Sequence, residues 1–215
     1  MKPNFFVFTI VFAETALERV PPGLCNEPLV VSAARKRGKK PEEMLLDWGM
    51  HSGVMKRLED WRRRGRPDQV YKFLSLCQES LANQKGELRV FIHTRNNEVI
   101  SIHPQTRLPG FYPAFEGLFE DLYRKRTIEA QGRKLLLLKQ QTLLELLGGL
   151  GGKFAVFDPN AEEAFKGLQG FDGAIIGGFP EGAFSGPLEG LPRFSIGGYD
   201  LTPVAVACEV LGALP

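Results

Sequence analysis

Little in this chain points to a disulfide, metal-centred or membrane protein. Of 215 residues only three are cysteine (Cys25, Cys77, Cys208), far apart in the sequence and odd in number. That excludes a disulfide framework and any zinc ligand spacing, and it fits a reducing cytoplasm. Histidine also occurs only three times, as His51, His93 and His103, without metal-ligand spacing, so no metal is expected. The longest apolar run, Phe5 to Ala13, is too short to cross a bilayer and lacks a basic lead beyond Lys2, so it reads as a buried strand. The net charge is only +2, far from that of a polycation. Low-complexity tracts, repeats and linkers are missing too. What remains is a soluble globular composition, 43% apolar and 24% charged, long enough to bury a sizeable core.

The charge that is present is clustered. From Arg35 to Arg66 there are eleven Lys or Arg against five Asp or Glu, an excess larger than that of the whole chain. The densest part is Arg62-Arg63-Arg64-Gly65-Arg66-Pro67-Asp68. Guanidinium forks match phosphate oxygens, so the run points to nucleic acid; a solvated basic face before an ordinary helix fits it as well. Pro67 suits a first helical position, which puts Asp68 in a first turn where the helix dipole favours a carboxylate.

The spacing of Val70, Phe73, Leu74, Cys77 and Leu81 predicts a helix from Pro67 with one apolar face. A preceding helix is expected over 50–61. Leu88 to His93 and Glu98 to Ile102 read as strands joined at Asn96-Asn97, a pair that tolerates positive φ. A helix should run from Pro113 to about Arg126. The second half alternates: a strand over 135–138, a helix over 141–147, a strand over 153–157, a helix over 160–168, and a buried strand over 173–176. A glycine-rich loop to Arg193, a strand over 194–196 and a last helix over 201–214 follow. Cys77 and Cys208 fall in apolar helical patterns and are expected as core thiols. Alternation of strands and helices implies an α/β fold with a largely parallel sheet. One domain over 1–215 is expected, with a basic insertion around 35–66.

Ile175-Ile176-Gly177-Gly178-Phe179-Pro180-Glu181-Gly182 ends a buried strand in paired glycines, and ligands of open α/β sheets bind outside the carboxyl ends of strands. There is no Lys-Ser/Thr of a phosphate loop. With the second turn Ser195-Ile196-Gly197-Gly198, backbone alone could build a pocket suited to an adenosine; a turn without ligand is the plainer alternative. His93, Thr94, Arg95, Asn96 and Asn97 bunch where one strand ends, a usual place for function. His93 by itself is more often structural than catalytic.

Together Arg63-Arg64-Gly65-Arg66-Pro67-Asp68, the segment His93 to Ile100, Thr106-Arg107-Leu108-Pro109, and Gly177-Gly178-Phe179-Pro180-Glu181-Gly182 resemble the Nep1 family of ribosome biogenesis proteins (also called Emg1 or Mra1) in its archaeal form. Arg37-Gly38-Lys39-Lys40-Pro41 and Leu45-Leu46-Asp47 fit as well. The resemblance implies a SPOUT-type α/β knot, with a C-terminal trefoil knot, and methyl transfer from S-adenosylmethionine to N1 of a pseudouridine in small-subunit ribosomal RNA. It further implies a homodimer, in which Val204, Val206 and Leu211 of the last helix would take part, and a role in subunit assembly with a ribosomal protein as a further partner. By similarity, cofactor binding falls on Thr94, Ile176, Gly177, Gly178, Gly182, Ser195, Ile196 and Leu201. Asp68 and Arg66 are the catalytic candidates, and Arg63, Arg64, Arg66, Arg95 and Arg107 the RNA contacts. Three departures stand out: Asn97 where the family usually has Asp, Gly110 and Ala114 where arginines are usual, and Glu181 in place of a His. An RNA-binding assembly factor with weak or no catalysis, or an enzyme of this class with another RNA target, stays open on these residues.

Overall fold

The computed structural model of the chain describes residues 7–186 and 188–214. The first apolar run forms β1 (Phe8–Thr15), every residue of which is buried; Phe5 and Phe6 of the expected strand lie outside the described residues. After a 3-10 turn come α1 (Pro28–Lys36) and α2 (Trp48–Met55). A 3-10 turn over Trp61–Arg63 leads into α3 (Pro67–Glu79), and α4 (Leu81–Gln84) follows. The strands β2 (Leu88–Thr94) and β3 (Glu98–Ile102) form the expected hairpin, with Asn97 at φ 54°. Next are α5 (Tyr112–Lys125), β4 (Thr127–Ala130), β5 (Arg133–Gln140) and α6 (Leu143–Leu150). The chain closes with β6 (Phe154–Phe157), β7 (Gly173–Gly177), β8 (Arg193–Phe194) and α7 (Pro203–Gly212).

These strands make one eight-stranded sheet in the order β4-β5-β3-β2-β1-β7-β6-β8. The run from β2 to β8 is parallel, and β3, β5 and β4 extend it in antiparallel fashion. β1 sits at the centre, paired on both sides, which explains its unbroken apolar sequence. Its alternate residues serve two cores. Phe8, Ile10 and Phe12 face Phe73, Leu74, Phe115 and Phe119 of α3 and α5, with Phe12 and Phe73 stacked at 4.0 Å. Val11 and Ala13 face Leu143 and Leu146 of α6. Residues 20–58 hold a third, smaller core of their own around Val30, Met44, Leu46, Val54 and Met55. Arg37 and Lys39 fasten this basic stretch to α5 through the buried carboxylates Glu116 and Glu120.

Several expectations change. The helix expected over 50–61 is Trp48–Met55 instead: Asp47 caps Gly49 N–H at 2.6 Å, and after Met55 the backbone tightens into single turns, with Arg57 N–H donating to Val54 O and Leu58 N–H to Met55 O. No helix forms over 160–168. Its backbone pairs with a distant segment instead: Ser195 N–H donates to Glu163 O at 2.8 Å and Phe165 N–H to Ser195 O at 2.8 Å. The strand expected over 194–196 is only Arg193–Phe194 for the same reason. β4 was unforeseen; it pairs with β5 across a tight turn in which Gln131 and Gly132 both have positive φ. Cys208 is exposed rather than a core thiol, since α7 turns Ala207 and Val210 inward.

The pairing at Ser195 also shows how the C-terminal part is threaded. The returning chain at 193–195 bonds to β6 on one side and to Glu163 and Phe165 on the other. It thus lies between β6 and the segment 163–165 of the connection from β6 to β7.

Candidate active site

Three parallel strands end together. Register pairs Thr15 of β1 with Thr94 of β2, and Ala13 of β1 with Gly177 of β7. Gly178 then folds onto β1. Its N–H donates to Ala13 O at 2.7 Å, and its carbonyl accepts from Ala16 N–H at 2.9 Å. A Cβ here would lie 2.8 Å from the Thr15 Cα, so only glycine permits the approach.

Past this point, residues 179–184 wall a cavity of about 600 Å³. Phe157 and Asp158 after β6, Ile176 and Gly177 of β7, and Leu201 with Val206 near α7 complete it, and Gln69 of α3 reaches it from the far side. The volume is that of a site for a nucleoside-sized molecule. Among the described residues its charged lining is acidic, with Asp158, Glu181 and Asp200; Asp158 is paired with Arg193 at 2.8 Å. Gln69 Oε1 is buried and has no hydrogen-bond partner among the described residues.

Of the sequence-predicted cofactor residues, Ile176, Gly177, Gly182 and Leu201 line this cavity and four do not. Gly178 spends both backbone groups on β1, as above. Ser195 spends its backbone on Glu163 and Phe165, and Ile196 follows it as part of the apolar packing. The hydroxyl of buried Thr94 accepts from Asn96 and Glu98 N–H, which fixes the hairpin turn. These four act at one remove, by shaping the strand ends. Gln69 and Asp158 had no signal in the sequence beyond polarity.

The arginine run is less free than its sequence implied. Arg63 donates to Glu14 at 2.8 Å and to Ala183 O at 2.6 Å, and lies 4.2 Å above the Phe179 ring. Arg64 grips the buried Glu18 with both arms of its fork, at 2.8 and 2.5 Å. Arg66 does the same to Asp68, at 2.7 and 2.9 Å. Arg95 approaches Glu18 and Asp60 at 3.8 and 3.9 Å. Arg62 alone is largely exposed, 3.6 Å from Glu181. Burial by itself would raise the Asp68 carboxyl, but the Arg66 fork and nearby Lys72 outweigh it and hold the group below its ordinary value.

Glu14, which the sequence reading passed over, is the centre of this network. It is buried, at φ 51°, and its carboxylate accepts from Ser185 N–H and Oγ, Gly186 N–H and Arg63. The glycine loop is therefore held by one anion that also fixes Arg63. Glu14 N–H in turn donates to His93 Nδ1 at 3.2 Å, which leaves the proton on Nε2, facing Asn97 Oδ1 at 3.2 Å. Burial lowers the His93 pKa despite its Asn97 and Glu14 neighbours, so the ring is neutral at pH 7. Asn97 thus supplies a neutral acceptor at a turn position that favours it.

Arg63 and Arg95 meet at a second cavity of about 500 Å³ on the other side of residues 185–186, beside His93 and Asn97. Arg107 is not brought to it. It lines a wider groove of about 1480 Å³ with Lys72, Lys85 and Arg133. Asp68 lines neither cavity; it stands one residue from Gln69 in the first turn of α3.

The family model for the EMG1/NEP1 methyltransferases matches residues 10–214, and the chain belongs to that family. Among relatives, the ribosomal RNA small subunit methyltransferase Nep1 of Thermococcus sibiricus is 42% identical over 211 residues, 94% of each chain. The protein of the same name from Pyrobaculum arsenaticum is 39% identical over 214 residues, 95% of this chain and 96% of that one. Among solved structures, Archaeoglobus fulgidus Nep1 bound to S-adenosylhomocysteine superposes with a TM-score of 0.88 at 33% identity, covering 96% of both chains.

Proposed function

We propose that this member of the EMG1/NEP1 methyltransferase family transfers the methyl group of S-adenosylmethionine to N1 of a pseudouridine in small-subunit ribosomal RNA. The observation that carries the reading is the acidic cavity of about 600 Å³ at the ends of β6 and β7. When bound, the cofactor supplies a methyl group on a positively charged sulfonium. Asp200 favours a cation there, Asp158 and Glu181 being partly neutralised by Arg193 and Arg62, and that attraction weakens once the methyl group and its charge have left. Phe157, Ile176, Leu201 and Val206 give the adenine an apolar bed.

Methyl transfer of this kind is an in-line displacement governed by positioning. N1 of pseudouridine carries a proton, and Asp68 is the acceptor proposed for that N–H. A carboxylate held ionised by Arg66 is a weak base, so its part is to orient the base: the S–methyl bond breaks as the N1–methyl bond forms, and the N1 proton, made acidic by the new bond, leaves to solvent water. Arg63 and Arg95 would hold RNA phosphates at the second cavity, Arg66 would act beside Asp68, and Arg107 would contact the RNA from the wider groove. Arg64, gripped by Glu18, would act through Arg95. The target must come unstacked, from a loop.

The rest of the reading follows from the family: one domain with the basic insertion as its RNA-facing part, a homodimer built on α7, a ribosomal protein as further partner, and a cytoplasmic place. Among the described residues no helix is long and apolar enough to cross a membrane. In α7, Val204, Val206 and Leu211 are partly buried against the main core, which leaves the exposed Cys208 side for a second copy.

The test is transfer of label from S-adenosylmethionine to a hairpin with one pseudouridine in its loop, against the same hairpin with uridine. Label on the first alone is expected. RNA binding without transfer would replace this reading with that of an assembly factor, and transfer to the uridine control would mean a different target.

A further inference from the structure

The chain has two tryptophans, and they stack on each other. Trp48 opens α2 and Trp61 opens the 3-10 turn, with ring centroids 5.4 Å apart and planes inclined by 12°. Two cations attend the pair: the Arg62 guanidinium lies 4.7 Å from the Trp61 centroid and Lys56 Nζ 6.0 Å from it. Trp48 is 37% exposed although it is stacked, so the pair presents indole surface to water. A large aromatic kept wet and ringed by cations is costly for a fold and useful to a ligand with a π-face and negative charge.

The pair is also fixed to the site. Trp48 N–H donates to Gly65 O at 2.8 Å, immediately before Arg66-Pro67-Asp68. Gly65 has φ 63°, and a Cβ there would strike Met55 at 2.6 Å, so this corner takes one geometry. On the Trp61 side, the same turn carries Arg62, which faces Glu181, and Arg63, which binds Ala183 O. The indoles are thus held by both the Arg66–Asp68 corner and the loop of the first cavity.

We infer that Trp48 and Trp61 form a stacking platform for an unpaired base next to the target nucleotide, with Arg62 and Lys56 taking the adjoining phosphates. A target extruded toward Asp68 leaves its neighbour unstacked, and an indole face replaces the lost stacking without reading sequence. The inference rests on the RNA reading above. The cations favour nucleic acid over a protein partner.

Because Trp48 and Trp61 are the whole tryptophan complement, fluorescence excited at the red edge, where the four tyrosines do not absorb, reports on this platform alone. Titration with the loop hairpin should quench it, and a fully paired duplex should not. Trp48→Leu should weaken hairpin binding about 5- to 150-fold, the range for one base stacked on an aromatic side chain. Trp48→Phe should recover most of that, and cofactor affinity by calorimetry should stay unchanged in both, showing an intact fold. An abasic nucleotide beside the target should weaken binding to the natural chain but not to Trp48→Leu. Equal binding by Trp48→Leu and the natural chain overturns the platform, and points to a protein contact at the indoles instead. A hairpin that the natural chain does not bind at all sinks the RNA reading itself, and the platform with it.

Discussion

Removing the Glu14 carboxylate should loosen the glycine loop more than any surface change in the arginine run. In Glu14→Gln the side chain keeps its size, but its amide nitrogen cannot accept a hydrogen bond. One arm of the carboxylate faces Ser185 Oγ and Arg63, at 2.8 Å each, and the other takes Gly186 N–H at 2.7 Å. Whichever way the amide sits, at least one donor of the loop or of Arg63 is left without an acceptor. Hydrogen bonds to a charged group contribute about 1.5–3 kcal/mol each, without adding up simply. Loss of one partner from a buried pair costs about 3–5 kcal/mol. Arg63 is 24% exposed in its side chain and can partly recover in water, so the lower end, about 3 kcal/mol, is expected. For a chain of this size that is a fall in Tm of about 6–12 °C. Differential scanning calorimetry gives the shift, and titration calorimetry the cofactor affinity, which should fall at least about tenfold as the walls at 179–184 lose their anchor. A Glu14→Gln chain with unchanged Tm and unchanged cofactor affinity would refute the role of Glu14 as the anion that holds this loop.

Arg66→Ala should weaken hairpin binding while leaving cofactor affinity alone; equal loss of both would mark Arg66 as structural. The same change frees Asp68 from its fork, so the acid limb of the pH–rate profile should move upward, and a limb that stays put would separate Asp68 from the rate. Gly178→Ala places a methyl group 2.8 Å from the Thr15 Cα, so both Tm and cofactor affinity should drop, and a variant as stable as the natural chain would mean the strand ends can part. His93 has a folded pKa below its ordinary 6.5, so the unfolded chain binds more protons at mildly acid pH. Its contribution is complete above pH 6.5 and is lost as the pH falls from there through the folded value. The urea midpoint of the natural chain should therefore fall more between pH 7.5 and 5.5 than that of His93→Gln; parallel slopes would remove His93 from this account.

Local chemistry was readable in the sequence, and distant pairing was not. Pro67 and Asp68 declared the start of α3, and Asn96-Asn97 declared a turn, because each acts on backbone within a few residues. The helix expected over 160–168 failed because its carbonyl and amide groups are taken by Ser195, some thirty positions on. The arginines looked free for the same reason. Glu14 and Glu18, which hold Arg63 and Arg64, lie 49 and 46 residues earlier, inside and just after an apolar strand that carries no hint of them. The cofactor motif was legible as glycine, yet two roles hid in it: Gly177 walls the cavity, while Gly178 lets β1 and β7 close on each other.

The account stands most directly on the identity of the methylated nucleoside. Hairpin RNA with a single loop pseudouridine, incubated with labelled S-adenosylmethionine and this chain, can be digested to nucleosides and resolved by mass spectrometry. The expected result is label on N1-methylpseudouridine alone. Label on any other nucleoside, or none on RNA that the chain has bound, would contradict it.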